Sequence, residues 1–297
     1  MSYAIGRDET IAAGVRRVAT EQIDEALASL EGDDVDRAER VHDVRKRLKK
    51  VRAALRLVRD GIGEDVFDRE NGDCRDTARL LADARDGTVH LDTLDALRKH
   101  YGGSLKRNAF SDLEKALEAR RDEANRHLVE TGTLDEVDDR LHAIRDRIPD
   151  WPIPNDGFET ARDGLKRVYK RGYKGLPNAY AEGTAEAVHE WRKRAKYLWY
   201  HCRLLGPCWP AVLDAWAEET HRLATLLGDD HDLAELRRAV ADIDRGEDDE
   251  RDALFALIEQ RHADLRAEAR PLGRRLWVEK PSAFADRLAA YWSIAHD

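Results

Sequence analysis

The sequence is short of cysteine, proline and long hydrophobic runs. Its three cysteines, Cys74, Cys202 and Cys208, follow no disulfide framework, so we expect free thiols and a reducing compartment. Only 8 prolines interrupt 297 residues, which favours helix. No stretch approaches the ~18 apolar residues of a membrane span, and the N-terminal segment lacks the apolar centre of a secretion signal. We therefore predict a cytoplasmic protein that does not enter a membrane.

The sequence motifs of common enzyme classes are also missing. We find no GxxxxGK[ST] loop, GxSxG turn, GxGxxG loop after a strand, CxxC pair or HExxH motif. None of the six serines has the surroundings of a nucleophile, and no pair of acidic residues has an evident acid–base role. The sequence therefore predicts a protein that is not an enzyme and that has no catalytic residues, metal site or cofactor.

The chain as a whole is acidic, with a formal net charge of −9. A typical nucleic-acid binder is basic overall, so a nucleic-acid partner is not expected. Any site for an anion must instead concentrate its basic residues locally. The hydrophobic fraction of 42% is ample for a folded core.

The two halves of the chain resemble each other. Residues 41–56, VHDVRKRLKKVRAALR, align without a gap to residues 188–203, VHEWRKRAKYLWYHCR, at an offset of 147. Residues 80–86, LLADARD, match residues 226–232, LLGDDHD, and two weaker pairs keep the same order in both halves. Matches that keep their order indicate an internal duplication.

A proline-rich segment, IPDWPIPNDG, separates the halves. We predict a first helical-bundle repeat over 1–148, a linker over 149–157 and a second helical-bundle repeat over 158–297. The 3.6-residue period and the lack of a convincing strand predict an all-α fold of antiparallel helices. The predicted helices lie near 8–30, 36–60, 64–84, 88–101, 108–130, 134–147, 157–175, 183–205, 210–227, 231–244, 249–269 and 282–294.

The repeated LLADARD and LLGDDHD elements fall at two of the predicted breaks between helices. Aspartate side chains commonly accept hydrogen bonds from the free backbone N–H groups at a helix start. We therefore interpret Asp86 and Asp232 as helix N-caps rather than as catalytic residues.

On a helix, residues 41–59 divide into an apolar stripe and a basic stripe about a quarter-turn apart. The second half repeats both stripes. The predicted core positions are Val41, Val44, Leu48, Val51, Leu55 and Val58, and Val188, Trp191, Ala195, Leu198, Cys202 and Leu205. The basic positions are His42, Arg45, Lys46, Lys49, Arg52, Arg56 and Arg59, and His189, Arg192, Lys193, Lys196 and Arg203, with Trp199 in the place of Arg52.

The basic stripe admits two interpretations. Charged residues on one helix usually form a solvated face. However, like charges three or four residues apart destabilise a helix, and residues 41–59 carry eight Lys or Arg against one Asp in an acidic protein. The pattern also occurs twice. A stripe that repels itself is explained if a polyanion neutralises it.

The helix that precedes each stripe adds basic residues, among them Arg17 in the first half and Arg167 and Lys170 in the second. A basic amphipathic helix can also lie on a membrane surface. Because the arrangement is duplicated, we favour a shared groove for an anion.

These residues resemble the CHAD family, the conserved-histidine α-helical domain. The resemblance lies in a His, an Arg three positions on, further basic residues and a distal Arg, here VHDVRKRLKKVR and VHEWRKRAKY, and in the LLADARD and LLGDDHD elements. It covers nearly the whole chain. It implies two helical bundles related by a pseudo-two-fold axis around a basic central channel. It also implies that this channel holds inorganic polyphosphate and that the protein is associated with polyphosphate granules.

By motif position, the resemblance implies polyphosphate contacts on the second helix of each half and, less directly, on the first. These residues are His42, Arg45, Lys46, Lys49, Arg52, Arg56, His189, Arg192, Lys193, Lys196, Arg203, Arg17, Arg167 and Lys170. Relatives often carry Arg where Trp199 stands, which predicts a weaker contact surface in the second half. Many relatives also carry an adjoining triphosphate-hydrolysing domain. This chain has no room for one, so hydrolysis is not expected.

Two other functions stay open at this point. Tyr169, Tyr173 and Trp199 lie beside basic residues, as single-stranded nucleic-acid binding through base stacking requires. His42 or His189 would serve a histidine-dependent phosphate-handling enzyme, whereas the alternatives for each are a structural hydrogen bond or an anion contact. The sequence does not predict an oligomeric state.

Overall fold

A computed structural model describes residues 3–31, 37–103, 105–106, 108–154, 157–243 and 249–296. Residue 36, where a predicted helix begins, residue 244, where another ends, and residues 155–156 of the predicted linker lie outside this part. Over the described residues the protein is all-α, as predicted, and has no strand. The helices are α1 (Ile11–Glu31), α2 (Arg37–Leu57), α3 (Arg59–Ile62), α4 (Glu64–Leu80), α5 (Ala82–Tyr101), α6 (Ser111–Glu130), α7 (Thr133–Arg147), α8 (Glu159–Glu182), α9 (Ala185–Leu204), α10 (Pro210–Ala241), α11 (Asp249–Leu276) and α12 (Pro281–His296). The pseudo-two-fold relation and the central channel stay predictions.

The apolar stripes of α2 and α9 lie at the centre of the core. Every predicted core position on the two stripes is at most 3% exposed, which confirms that assignment. The two helices are also joined by a polar contact, in which the fully buried His201 of α9 donates from Nε2 to the carbonyl oxygen of Ala53 on α2, at 2.9 Å. Helices from the two halves of the chain therefore share one core.

The described part of the predicted linker packs against the helices. Trp151 is only 1% exposed, and its carbonyl oxygen accepts a 2.6 Å hydrogen bond from a terminal guanidinium nitrogen of Arg16 on α1. This segment thus helps to hold the first helix in place. The boundaries of the two repeats stay a prediction.

Two of the predicted helix breaks are wrong. Helix α5 begins at Ala82, so Asp86 lies inside it, and α10 runs without interruption through Asp232. Neither aspartate is an N-cap; each instead projects from the body of a helix. Helices α8 and α11 also continue about two turns past their predicted ends, through Pro177 and Pro271.

Two glycines allow close approaches that a side chain would obstruct. At Gly164 of α8, an added Cβ would overlap the backbone carbonyl oxygens of Leu57 and Arg56. This glycine therefore sets how closely α8 crosses the end of α2. At Gly228 of α10, an added Cβ would lie 3.7 Å from Nε of Arg192, so the bare backbone leaves room for that guanidinium.

No described helix combines the length and the apolar character that crossing a bilayer requires.

The crossing of α8 over α2 predicts a large effect of Gly164→Ala. Because the new methyl group would overlap two backbone carbonyls, we expect the free energy of unfolding to fall by about 2 kcal/mol or more. Urea unfolding followed by circular dichroism measures it. The matched control is Gly72→Ala on α4, where an added Cβ meets nothing within 4 Å. That change should raise stability by about 0.5–1 kcal/mol, because Ala is the better helix former. Equal stabilities of the two variants would contradict the packing described.

Candidate anion-binding site

A cleft of about 600 Å³ opens between α2, α5, α9 and α10. The predicted basic residues that line it are His42, Arg45, Lys46, Lys49, Arg192 and Lys196. Side chains from both halves of the chain therefore meet at one site. With Arg85 of α5, six Lys or Arg line the cleft, against the three carboxylates of Asp86, Asp232 and Glu235.

Arg45 and Arg192 occupy equivalent positions on α2 and α9. The Nε atom of each is buried and has no hydrogen-bond partner among the described residues. One terminal nitrogen of Arg45 donates to the carbonyl oxygen of Ala78 at 2.7 Å, which anchors that side chain to the end of α4. Burial lowers the pKa of both guanidinium groups, although Arg remains charged at any physiological pH. The cleft thus holds two desolvated cations with unsatisfied donors.

Lys49 and Lys196 each lie four residues after one of these arginines, Lys49 on α2 and Lys196 on α9. Burial, followed by Arg45, Arg192 and Lys196, lowers the pKa of Lys49 to about 7. Burial and then Arg192 lower that of Lys196 to about 8. By solvent-accessible area Lys49 is exposed to the water of the cleft, and no carboxylate of the described residues forms an ion pair with either lysine. Loss of hydration and, after it, the neighbouring cations therefore disfavour the charged form of both lysines.

Sequence reasoning missed the walls that α5 and α10 contribute. Arg85 and Asp86 from the first repeated element, and His231 and Asp232 from the second, all line the cleft. The repetition of the two elements is a sequence signal for a shared role. Their sequence alone predicts turns, and only the uninterrupted helices show that they face α2 and α9. Burial raises the pKa of Asp232 even though Arg192 is nearby.

Arg52 and Arg56 continue the basic stripe of α2 but do not line the cleft. Nε of Arg52 donates to Oδ1 of Asn71 on α4 at 3.1 Å, and Arg56 donates to the same oxygen at 2.7 Å. The guanidinium of Arg56 also lies over the ring of Tyr197, 4.3 Å from its centroid. These contacts give both arginines a role in packing α2 against α4 and α9.

Five other predicted contact residues also lie away from the cleft lining. Lys193 pairs with Glu190 on the same helix, and Arg167 pairs with Asp60. The guanidinium of Arg17 forms ion pairs with the carboxylates of Glu9 and Glu21, with N–O distances of 2.6 and 3.0 Å. Arg203 lies over the rings of Tyr3 and Trp199. Lys170 is exposed on α8. A direct polyphosphate contact by any of these residues stays a prediction.

The two histidines that open the stripes have different neighbours. His42 lines the cleft, where burial and then Arg85 lower its pKa to about 4. His189 does not line the cleft itself. Its Nδ1 lies 3.1 Å from Nδ1 of His231, which does line the cleft. Among the described residues, no group of three or more His, Cys, Asp or Glu side chains is arranged to hold a metal ion.

The aromatic residues that motivated a nucleic-acid interpretation are mostly unsuited to base stacking. Tyr169 is fully buried and stacks on Phe284, with ring centroids 4.0 Å apart. Tyr173 is exposed on α8 and does not line the cleft. Trp199 lines the cleft, but its ring is already packed against other rings. Its centroid lies 4.6 Å from that of Tyr200 and 4.2 Å from that of His221. An open aromatic platform is therefore not evident at this site.

Two solved structures are similar to this fold. PptA from Streptomyces chartreusis superposes with a TM-score of 0.63 at 18% sequence identity, covering 91% of this chain and 100% of that one. The crystal structure of the CHAD domain from the plant Ricinus communis gives a TM-score of 0.50 at 21% identity, covering 91% and 94%. At these identities the likeness shows the fold alone.

Among curated proteins, the chain is similar to two uncharacterized proteins of Mycobacterium tuberculosis. These are MT2285 of strain CDC 1551 / Oshkosh and Rv2226 of strain ATCC 25618 / H37Rv. Each is 27% identical over 282 residues, which cover 86% of this chain and 51% of the relative. The chain thus spans about half the length of the curated relatives it matches.

The sequence model of the CHAD domain matches residues 17–241. This range covers most of the chain and includes every residue that lines the cleft. The resemblance noted from the two VH-containing motifs is thereby confirmed: the chain belongs to the CHAD domain family.

Proposed function

We propose that this chain binds inorganic polyphosphate in the cleft between α2, α5, α9 and α10 and leaves it chemically unchanged. The observation that carries the proposal is the pair Arg45 and Arg192, whose buried Nε donors lack a partner among the described residues. An unsatisfied buried donor costs free energy. Phosphate oxygens would satisfy both arginines with charge-assisted hydrogen bonds, for which the planar guanidinium is well shaped.

A ligand with several negative charges fits the cleft better than a single small anion. The cations come from α2, α5 and α9, and after burial they are the next cause that lowers the pKa of Lys49 and Lys196. Each negative charge placed among them stabilises several ammonium or guanidinium groups at once. Polyphosphate offers such a row of charges and has no bases that would need a stacking surface.

Equivalent positions of the duplicated sequence supply the lining in pairs. Arg45 and Arg192 form one such pair, Lys49 and Lys196 a second, and Asp86 and Asp232 a third. This pairing supports the further proposal that the halves are related by a pseudo-two-fold axis and that the cleft is the basic channel that the family resemblance implies. We place the protein, by the same proposal, in the cytoplasm with polyphosphate granules.

The first prediction from this proposal concerns the double variant Arg45→Ala/Arg192→Ala. Each hydrogen bond to a charged group contributes about 1.5–3 kcal/mol, so affinity for polyphosphate of defined length should fall about 100-fold or more. The slope of log affinity against log salt should also become shallower by about two, because two phosphate contacts are lost. Calorimetric titration at two salt concentrations measures both quantities.

The matched control for this experiment is Arg140→Ala/Arg275→Ala. Both arginines are exposed, on α7 and α11, and neither lines the cleft. The control removes the same net charge and should bind within about threefold of the parent. Thermal unfolding checks that both variants fold. If the cleft variant binds polyphosphate as tightly as the control does, the site assignment is wrong.

A second prediction concerns pH. Because the pKa of Lys49 is about 7 in the unliganded protein, Lys49 is charged below that pH and must take up a proton on binding above it. Affinity should therefore fall about threefold as pH rises from about 6.5 to about 7.5, because this interval is centred on the pKa of Lys49. Arg stays charged throughout this range, so Lys49→Arg should flatten the profile. The exposed Lys115→Arg serves as control and should keep the parent's profile; an unchanged profile in Lys49→Arg would show that Lys49 does not face the ligand.

Two measurements separate the proposal from its alternatives. Single-stranded DNA or RNA that displaces polyphosphate at equal total charge would favour nucleic-acid binding. Release of orthophosphate, or a phosphohistidine at His42 or His189 after incubation with polyphosphate, would show an enzyme. We expect neither, because the Trp199 ring in the cleft is already packed against Tyr200 and His221 and the site is built around guanidinium and ammonium groups.

A further inference from the structure

Five of the 11 histidines in the chain gather at the cleft. Four line it, one from α2, one from α5 and two from α10, and the fifth, on α9, contacts one of these. We call them the histidine cluster; its members are His42, His90, His189, His221 and His231. The cluster therefore surrounds the groups that we propose to bind polyphosphate.

Every member of the histidine cluster has a lowered pKa. Burial is the largest cause in each case, and it brings the pKa of His42 and His189 to about 4 and that of His231 to about 3. The pKa values of His90 and His221 are also lowered. At neutral pH these imidazoles are uncharged while the ligand is absent.

Charged neighbours on several helices act on the cluster as well. His42 faces Arg85 of α5 and Lys46, Lys49 and Asp43 of its own helix. His221 faces Lys196 and Arg203 of α9. His90 faces Asp86, Asp232 and Arg120. Apart from these carboxylates, the neighbours are cations that keep the imidazoles neutral.

His189 and His231 form a pair whose geometry limits their protonation. Their Nδ1 atoms lie 3.1 Å apart, so only one of the two can carry a hydrogen there. Lys193 and Arg192 lower the pKa of His189, whereas Glu186 and Glu190 raise it. Arg192, His189 and Arg238 lower that of His231, whereas Asp230 raises it, and Glu235 lies 3.8 Å from its Nδ1. The pair can gain one proton if a negative charge stabilises it and the rings separate slightly.

Resting on the proposed function, we propose that polyphosphate binding is coupled to proton uptake by the histidine cluster, so that affinity increases on acidification. The phosphate charges reverse the repulsion that the lysines and arginines impose on an imidazolium. With neutral imidazoles, six Lys or Arg and three carboxylates line the cleft. Four lining histidines that become charged would more than double the net positive charge that faces the ligand.

The sign of this coupling follows from linkage. A group that is neutral in the unliganded protein and protonated in the complex makes binding stronger as pH falls. Each such histidine adds up to about tenfold in affinity per pH unit, between its pKa in the complex and its pKa in the unliganded protein. Below about pH 6.5, Lys49 and Lys196 are already charged, so a further gain in affinity comes from the histidines and from Asp232, whose pKa burial raises. Only the part of the gain that is lost when histidines are replaced reports on the histidine cluster.

The test compares the parent with His42→Gln/His231→Gln by calorimetry with long-chain polyphosphate, whose titrating end groups are few. Titrations at about pH 5.5 in two buffers of different ionisation enthalpy count the protons taken up. We expect the parent to gain at least about tenfold in affinity from about pH 6.5 to 5.5, and the variant less than about threefold. The readout is the ratio of affinities at the two pH values within each protein, because His42 and His231 line the cleft and their replacement can also weaken binding equally at every pH.

The control is His127→Gln/His142→Gln, which removes two exposed histidines outside the cleft and should follow the parent. Should the cleft variant prove unfolded, NMR titration of the histidine ring protons in the parent decides, since polyphosphate should move several midpoints to higher pH. Equal pH profiles for parent and cleft variant, or unmoved midpoints, would overturn the coupling. Failure of the parent to bind polyphosphate at any pH from about 5.5 to 8 would instead overturn the proposed function itself.

Discussion

Burial of the apolar stripes on α2 and α9 holds four cationic side chains close together against their mutual repulsion. They are Arg45, Lys49, Arg192 and Lys196. The stripes are almost inaccessible to water, and a buried hydrogen bond from His201 to the backbone of α2 joins the same two helices. The basic stripes lie beside the apolar ones, so packing the core also fixes where the cations project. The apolar burial offsets a repulsion that the cations alone would relieve by moving apart.

The carboxylates of the cleft moderate this charge without neutralising its donors. Asp86 acts on Arg45, and Asp232 on Arg192, through the electrostatic field. Yet the Nε atoms of both arginines remain without a hydrogen-bond partner among the described residues. Carboxylates that act without hydrogen-bonding to the Nε atoms reduce the repulsion among the cations. The strongest directional donors therefore stay available for a ligand. The neutral histidines extend the same arrangement, because they add polar groups without adding charge.

The basic stripe of α2 changes its role along the helix because its neighbours change. Near its start, α5, α9 and α10 leave a cleft in front of Arg45 and Lys49. Two turns later, α4 and Tyr197 cover Arg52 and Arg56, which become packing residues. A periodic pattern predicts which side of a helix a residue occupies, but the elements opposite that side come from remote parts of the chain. A direct contact of Arg52 or Arg56 with polyphosphate therefore stays a prediction.

The sequence by itself determined the all-α fold, the buried stripes and the repeated basic motif, because helical periodicity and self-similarity are local properties. It also determined that Arg45 and Lys49 project from one side of α2 and that Arg192 and Lys196 project from the equivalent side of α9. Only the tertiary structure decided that their cleft is closed by α5 and α10. Asp86 and Asp232 illustrate the reason: the local sequence is compatible with a cap or with a helix interior, and the choice depends on packing against helices far away in the chain.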